Sequence, residues 1–119
     1  MENVLKDKRK EYAISIIKLS EFLDQNKNKV ISNQILRSGT SIGANIAEAQ
    51  YAASKLDFAN KLQIALKEAN ETKYWLELIK EMKYIDNTLA GSLLKGIDEL
   101  IKLLTSSIKT AKMILDEDI

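Results

Sequence analysis

Twenty-five consecutive residues, Val30 to Ser54, carry only two charged side chains, Arg37 and Glu48, in a chain of which 29% is charged. The stretch is nonetheless helical in period. Ile31, Ile35, Gly39, Ile42, Ile46, Ala49 and Ala53 recur at steps of three and four, which is one face of a helix. Leu36, Thr40, Gly43, Ala44 and Ala47 form a second set about a third of a turn round. A helix that is apolar or small over more than half its circumference has to be covered from more than one side. The spacing therefore predicts a central helix over 30–54, close-packed through Gly and Ala. Its neighbours are expected inside the chain and in sister copies.

The rest of the 119 residues reads the same way. There is no proline and there are four glycines, so little in the chain can punctuate strands. A first helix is expected over about 3–25, with Leu5, Tyr12, Ile16, Leu19 and Leu23 inward, Ala13 and Ile17 beside them, and Lys8, Lys18 and Glu21 opposite. NKNK at 26–29 reads as a linker. Ser54 followed by Asp57 reads as the cap of a third helix, whose inner stripe is Phe58, Leu62, Ala65, Ala69, Thr72, Leu76 and Ile79. That helix should fade near 83–85, and Asp86 or Asn87 should cap a fourth. The fourth helix points Leu89, Leu93, Ile97, Leu100, Leu104, Ile108, Ala111 and Leu115 inward. Gly91 and Gly96 within it suggest a close contact or a frayed start. Four amphipathic helices with short connections predict an all-α, up-down-up-down antiparallel four-helix bundle, one domain over 1–119. The third and fourth helices should form the longer hairpin.

Charge and chemistry narrow the function. The formal net charge is +1, with the excess of basic groups in the first forty residues, so bulk electrostatics offers little pull on nucleic acid or an anionic membrane. No apolar run approaches the roughly 20 residues of a membrane span, and the charged amino terminus does not read as a signal peptide. Zero cysteines suits a reducing cytoplasm, the expected location. With no histidine, no cysteine, no glycine-rich phosphate loop and no base beside Ser38 or Ser41, an enzyme is not expected, nor is a cofactor or a small-molecule substrate.

Several constellations remain. Gln34, Arg37, Ser41, Asn45 and Glu48 line one narrow polar face of the second helix, either a strip for RNA phosphates or a set that satisfies hydrogen bonds between helices or protomers. Ile64, Glu68, Glu71, Trp75, Leu78 and Met82 form a second heptad stripe on the third helix, more apolar than a monomer's outer face usually is. Arg37, Ser41, Asn45, Glu48 and that stripe are the candidate oligomer interface. Glu68 and Glu71, with or without Glu48, could instead serve a carboxylate-only site for a hard cation, or pair with Arg37 or a lysine. Tyr74 and Trp75 are either a stacking platform for single-stranded bases or interface anchors. Lys6, Lys8, Arg9 and Lys10, with Arg37, are the candidate nucleic-acid contacts, set against the reading of a solvated helix face.

Two segments carry a resemblance. One runs Gln34-x-x-Arg37-Ser38-x-x-Ser41-Ile42-x-x-Asn45-Ile46-Ala47-Glu48, and the other Ile64-Ala65-Leu66-Lys67-Glu68-Ala69-x-Glu71-Thr72-x-Tyr74-Trp75-Leu76. Together they resemble the bacterial four-helix-bundle proteins first noticed as reading frames in intervening sequences of 23S ribosomal RNA genes. The accessory variability protein of diversity-generating retroelements is related in fold. Ala49 departs from the pattern, where glycine is expected after the glutamate. The resemblance implies a bundle assembled into a ring, a homopentamer, with no enzymatic activity. For the retroelement relatives it implies a ring that binds reverse transcriptase and nucleic acid. For the stand-alone members, which this chain resembles more closely, it implies no assigned role. The expected protein is therefore a non-enzymatic homo-oligomeric interaction scaffold, partnered by itself and by RNA, DNA or a nucleic-acid enzyme. The alternative is a weak, sequence-independent nucleic-acid-binding module.

Overall fold

Three short polar side chains start three of the helices. Asn28 Oδ1 accepts from the Ile31 N–H at 3.0 Å, Ser54 Oγ from the Asp57 N–H at 3.0 Å, and Asp86 Oδ1 from the Leu89 N–H at 2.7 Å. Each satisfies a first-turn amide that has no partner within its helix, a contribution of about 1 kcal/mol. Asp57 Oδ2 in turn accepts the Ala53 N–H at 3.2 Å, tying the residue before the cap to the first turn of the helix.

The resulting elements, in a computed structural model that describes the backbone of residues 2–117 and the side chains of 7–116, are four helices: α1 Glu2–Asn26, α2 Lys29–Ala49, α3 Lys55–Glu81 and α4 Asn87–Glu117. Among the described residues there is no strand. α1 packs against α2 and α4, and α3 against α2 and α4, while the diagonal pairs do not meet. That is the cross-section of an antiparallel four-helix bundle, drawn out to 52 × 22 × 20 Å. Leu5 and Lys6 lie outside the described side chains.

The core is the one the periodicity outlines. Ile16, Leu23, Ile35, Ile42, Leu62, Leu76, Ile79, Ile97, Leu100 and Leu104 are all essentially without solvent contact. Gly39 lets α1 and α2 approach closely: a Cβ placed there would lie 2.6 Å from Ile16 Cγ2. Gly96 does the same for α1 and α4, where a Cβ would sit 2.8 Å from Tyr12 Cε1. Two hydroxyl pairs are buried between helices. Ser20 Oγ and Ser32 Oγ are 2.9 Å apart, and Thr72 Oγ1 lies 2.9 Å from Ser38 Oγ and 2.8 Å from the Glu68 carbonyl oxygen. No buried side-chain polar atom among the described residues lacks a partner, as a low-dielectric interior requires.

Five expectations need correction. The second helix stops at Ala49 rather than Ser54, because Ser54 caps α3 with extended backbone (φ −155°, ψ 168°) and the chain must leave the helix first. Gln50, Tyr51 and Ala52 unwind through three-residue turns, bonding back to Ala47, Glu48 and Ala49. The linker at 26–29 shrinks to two residues, since Asn26 finishes α1 and Lys29 begins α2. Leu89 is 44% exposed, lying in the first turn of α4. Gly91 faces open space, so of the two α4 glycines only Gly96 answers to a close contact. Lys8 is not on the outer side of α1 but on its α4-facing flank. The expected longer hairpin follows from that flank. Lys8 Nζ bonds Glu99 Oε2 at 2.9 Å, and from that level α1 continues six residues, about 9 Å, while α4 continues eighteen, about 27 Å.

α3 ends on a residue with left-handed backbone, Lys83 at φ 57°. The Tyr84 N–H donates to the Ile79 carbonyl at 3.2 Å and the Lys83 N–H to Lys80 at 3.0 Å, the paired bonds of a Schellman ending, in which glycine is usual. A side chain in this region costs roughly 1–2 kcal/mol, part of which glycine gives back through its freer unfolded chain. Lys83→Gly is therefore expected to stabilise the bundle by about 0.5–1 kcal/mol, read as a higher urea midpoint at unchanged slope.

Candidate functional site

The two segments singled out in the sequence meet at the α2–α3 seam. Arg37 leaves α2 half-exposed and reaches across to α3, where its guanidinium pairs with Glu71 and lies 3.4 Å from Glu68 Oε2. Gln34, one turn before Arg37, accepts from the same guanidinium at 3.2 Å. Glu71 Oε2 is shared: it also accepts the Trp75 indole N–H at 3.0 Å, one turn along α3. Tyr74 meets Trp75 edge-on, with ring centroids 5.2 Å apart and planes at 66°. Directly beneath lies the Ser38–Thr72 hydroxyl pair, so the seam is polar from core to rim.

These contacts assign most of the candidate residues. Glu68 and Glu71 converge on Arg37, which is the ion-pairing reading of the pair. Among the described residues no group of three or more His, Cys, Asp or Glu is placed to hold a metal ion. Glu48 lies 3.7 Å from Lys61 Nζ of α3. Asn45 bonds back to the Ser41 carbonyl at 2.9 Å, within its own helix, and both residues are half-buried. Trp75 and Leu78 are half-buried, whereas Ile64 is 43% and Met82 59% exposed, with Tyr74 beside them at 54%.

The basic residues at the start of α1 do not share a face. Lys8 turns to Glu99 on α4, and each partner favours the other's charged form, raising the lysine and lowering the carboxyl from their ordinary values. Arg9 turns the other way and donates to the Gly43 carbonyl of α2 at 3.3 Å. Lys10 is exposed, and the Lys6 side chain is outside the described residues. Arg37, the remaining candidate of that set, is held by two carboxylates.

α2 itself is better covered by its own chain than its lack of charge suggests. α1 and α3 bury Ser32, Ile35, Ser38, Gly39, Ile42, Ile46 and Ala49, and a Cβ on Gly43 would lie 3.6 Å from Arg9 Cβ. Its small residues serve close packing within the bundle on two sides, and this need alone accounts for much of the composition. The sequence reading did not find Lys61, Glu99 or the Lys73–Asp98 pair, 2.8 Å apart between α3 and α4. Each partner sits on another helix, and spacing along one helix carries no signal of it.

Residues 2–106 match the 23S rRNA-intervening sequence protein family. Among solved structures, the chain is similar to a Bacteroides thetaiotaomicron protein described as of unknown function and from the S23 ribosomal protein family. The two are 55% identical, the match covers 91% of this chain and 97% of that one, and the TM-score is 0.88. No curated protein matches.

Proposed function

The chain belongs to the 23S rRNA-intervening sequence protein family, and from that premise we propose that it is a non-enzymatic interaction protein that works as a homo-oligomer, a pentameric ring. The supporting observation is the apolar outer side of α3. Ile64, Tyr74 and Met82 are exposed there beside half-buried Trp75 and Leu78, and Val30 at the start of α2 is 69% exposed. Aromatic and methionine side chains around a fixed arginine–carboxylate node are the composition of an interface core. Trp75, with its N–H already tied to Glu71, would enter such a contact at little further cost in side-chain freedom. The absence of histidine and cysteine from the sequence removes the usual groups for proton transfer and nucleophilic attack near neutral pH. Among the described residues no helix is long and apolar enough to cross a membrane.

Light scattering behind a sizing column tests the reading. The expected mass is about five times the 13.4 kDa of one chain. Ile64→Asp with Met82→Asp, both on exposed positions, should lower it to that of a folded monomer, with the helical circular dichroism retained. A wild-type protein that stays at 13 kDa at micromolar concentration would end the proposal.

A further inference from the structure

A ring closes only if each copy carries two different surfaces, one presented and one receiving, because rotation about the axis carries the first onto the second. The α3 stripe is one of them. It lies on the α2–α3 side of the bundle, where Glu71 and Trp75 join Arg37. Adjacent sides of a four-helix bundle face about 90° apart and opposite sides about 180°. Two interfaces about 180° apart build an open row, whereas five-fold closure needs them about 108° apart. The receiving surface therefore adjoins the stripe, on the α1–α2 or the α3–α4 side.

Those two sides differ in charge. The α3–α4 side is crossed by the Lys73–Asp98 pair, and α4 carries six charged residues between 95 and 112. α2 carries none from Ser38 to Ala47. Ser32 and Gly43 of α2 face Ser20 and Arg9 of α1. Beside that seam Leu36, Thr40 and Ala47 are half-buried and Ala44 is exposed. On α1, Ala13 and Ile17 follow Arg9 at steps of four, and Ile17 is 40% exposed.

Height along the bundle matches as well. With Ser20 beside Ser32 and Ser38 beside Thr72, opposed helices put Ile17 level with Ile35 and close to the height of Trp75. By the same register Gly43, whose carbonyl takes the Arg9 hydrogen bond, stands close to the height of Glu68. Rotation about an axis along the bundle leaves height unchanged, so the two surfaces meet in register. Their charges are complementary. Glu68 and Glu71 share the single Arg37, while half-buried Arg9 has the Gly43 carbonyl and no carboxylate partner among the described residues.

We propose that the α1–α2 side of one copy receives the α3 stripe of the next, with Trp75 against Ile17 and Leu36, and Arg9 facing the neighbouring copy's Glu68. The inference rests on the self-association proposed above and names the surface that completes it. It puts α2 at the corner nearest the ring axis and the charged α4 outermost.

The test is complementation between two variants. Ile64→Asp with Met82→Asp spoils the stripe and keeps the receiving side, while Ile17→Asp with Ala44→Asp spoils the receiving side and keeps the stripe. Each alone should run as a folded monomer of about 13.4 kDa by light scattering, with circular dichroism reporting the fold. Mixed at high micromolar concentration, they should form a one-to-one dimer of twice that mass and nothing larger, because one intact stripe then meets one intact receiving side. Leu89→Asp, on the α1–α4 side, should keep the wild-type mass. If the Ile17→Asp, Ala44→Asp protein is unfolded, Ala44→Asp alone carries the same expectation. A wild-type monomer would remove the self-association reading, and this inference with it. A wild-type ring overturns this inference alone if the folded receiving-side variant keeps the ring's mass, if the mixture stays monomeric, or if Leu89→Asp breaks the ring.

Discussion

Gly39→Val is expected to destabilise the bundle by about 3 kcal/mol. The position has no room for a side chain: even a bare Cβ would lie 2.6 Å from Ile16 Cγ2 and 3.1 Å from Cγ1, and both residues are fully enclosed. The obstruction is a β-branched side chain in the middle of α1, which has few rotamers to move into. Overpacking of this kind costs about 1–3 kcal/mol, and the γ-methyls of valine place the result at the upper end. Ile16→Ala alone should cost about 2–5 kcal/mol through the cavity it leaves. Combined, the two should be less destabilising than their sum by more than about 1 kcal/mol, because the added side chain then occupies the emptied volume. Urea denaturation of the four proteins measures the coupling. Simple additivity would show that the α1–α2 approach at Gly39 is not where the strain arises.

Tyr12→Phe is expected to change the response to alkali. The phenol is buried between α1 and α4, with its ring against Gly96 and its hydroxyl donating to the Leu93 carbonyl at 2.8 Å. Ionised, the same oxygen would have no proton to give that carbonyl and little water around it. Burial first, and the Asp98 carboxylate second, therefore hold the phenol well above its ordinary value of 10.0. A group whose pKa is raised on folding contributes stability that is complete below its unfolded pKa and is lost as pH rises beyond it. Wild-type stability should thus fall above pH 10, by about 1.4 kcal/mol per pH unit from this group alone. The phenylalanine variant lacks that loss. At pH 7 it should be less stable by about 1 kcal/mol, for the missing hydrogen bond, and by pH 12 it should be the more stable of the two. The two proteins differ by this one hydroxyl, so the difference between the curves isolates Tyr12. Parallel curves from pH 9 to 12 would remove the argument.

The helices, two of their starting caps and nearly all of the core were legible in the amino-acid order, because these depend on neighbours three and four residues away. Ser54 stood out as a cap and Asp86 as one of two candidates with Asn87, whereas Asn28 was read only as part of a linker. Gly39 stood in the apolar stripe as a small residue. Where the sequence misled, a local pattern was extended past a competing local demand. The α2 periodicity continues through Ala53, yet Ser54 needs extended backbone to begin α3, and the cap prevails. Leu89 keeps the α4 spacing but stands half in solvent at the start of that helix.

Arg37 shows where such reasoning stops. Its place on a polar face of α2 follows from steps of three and four. Its partners Glu68 and Glu71 are more than thirty residues away, and only the register of α2 against α3 brings them within reach. Lys8 and Glu99 are 91 residues apart, and the pair exists because the bundle closes α4 onto α1. By itself the sequence determined which residues become helix and which side of each helix turns inward, since hydrophobic burial acts on a repeat that local geometry sets. The tertiary structure alone decided which charges neutralise one another and which apolar side chains of α3 stay exposed, since that depends on the relative placement of separate helices.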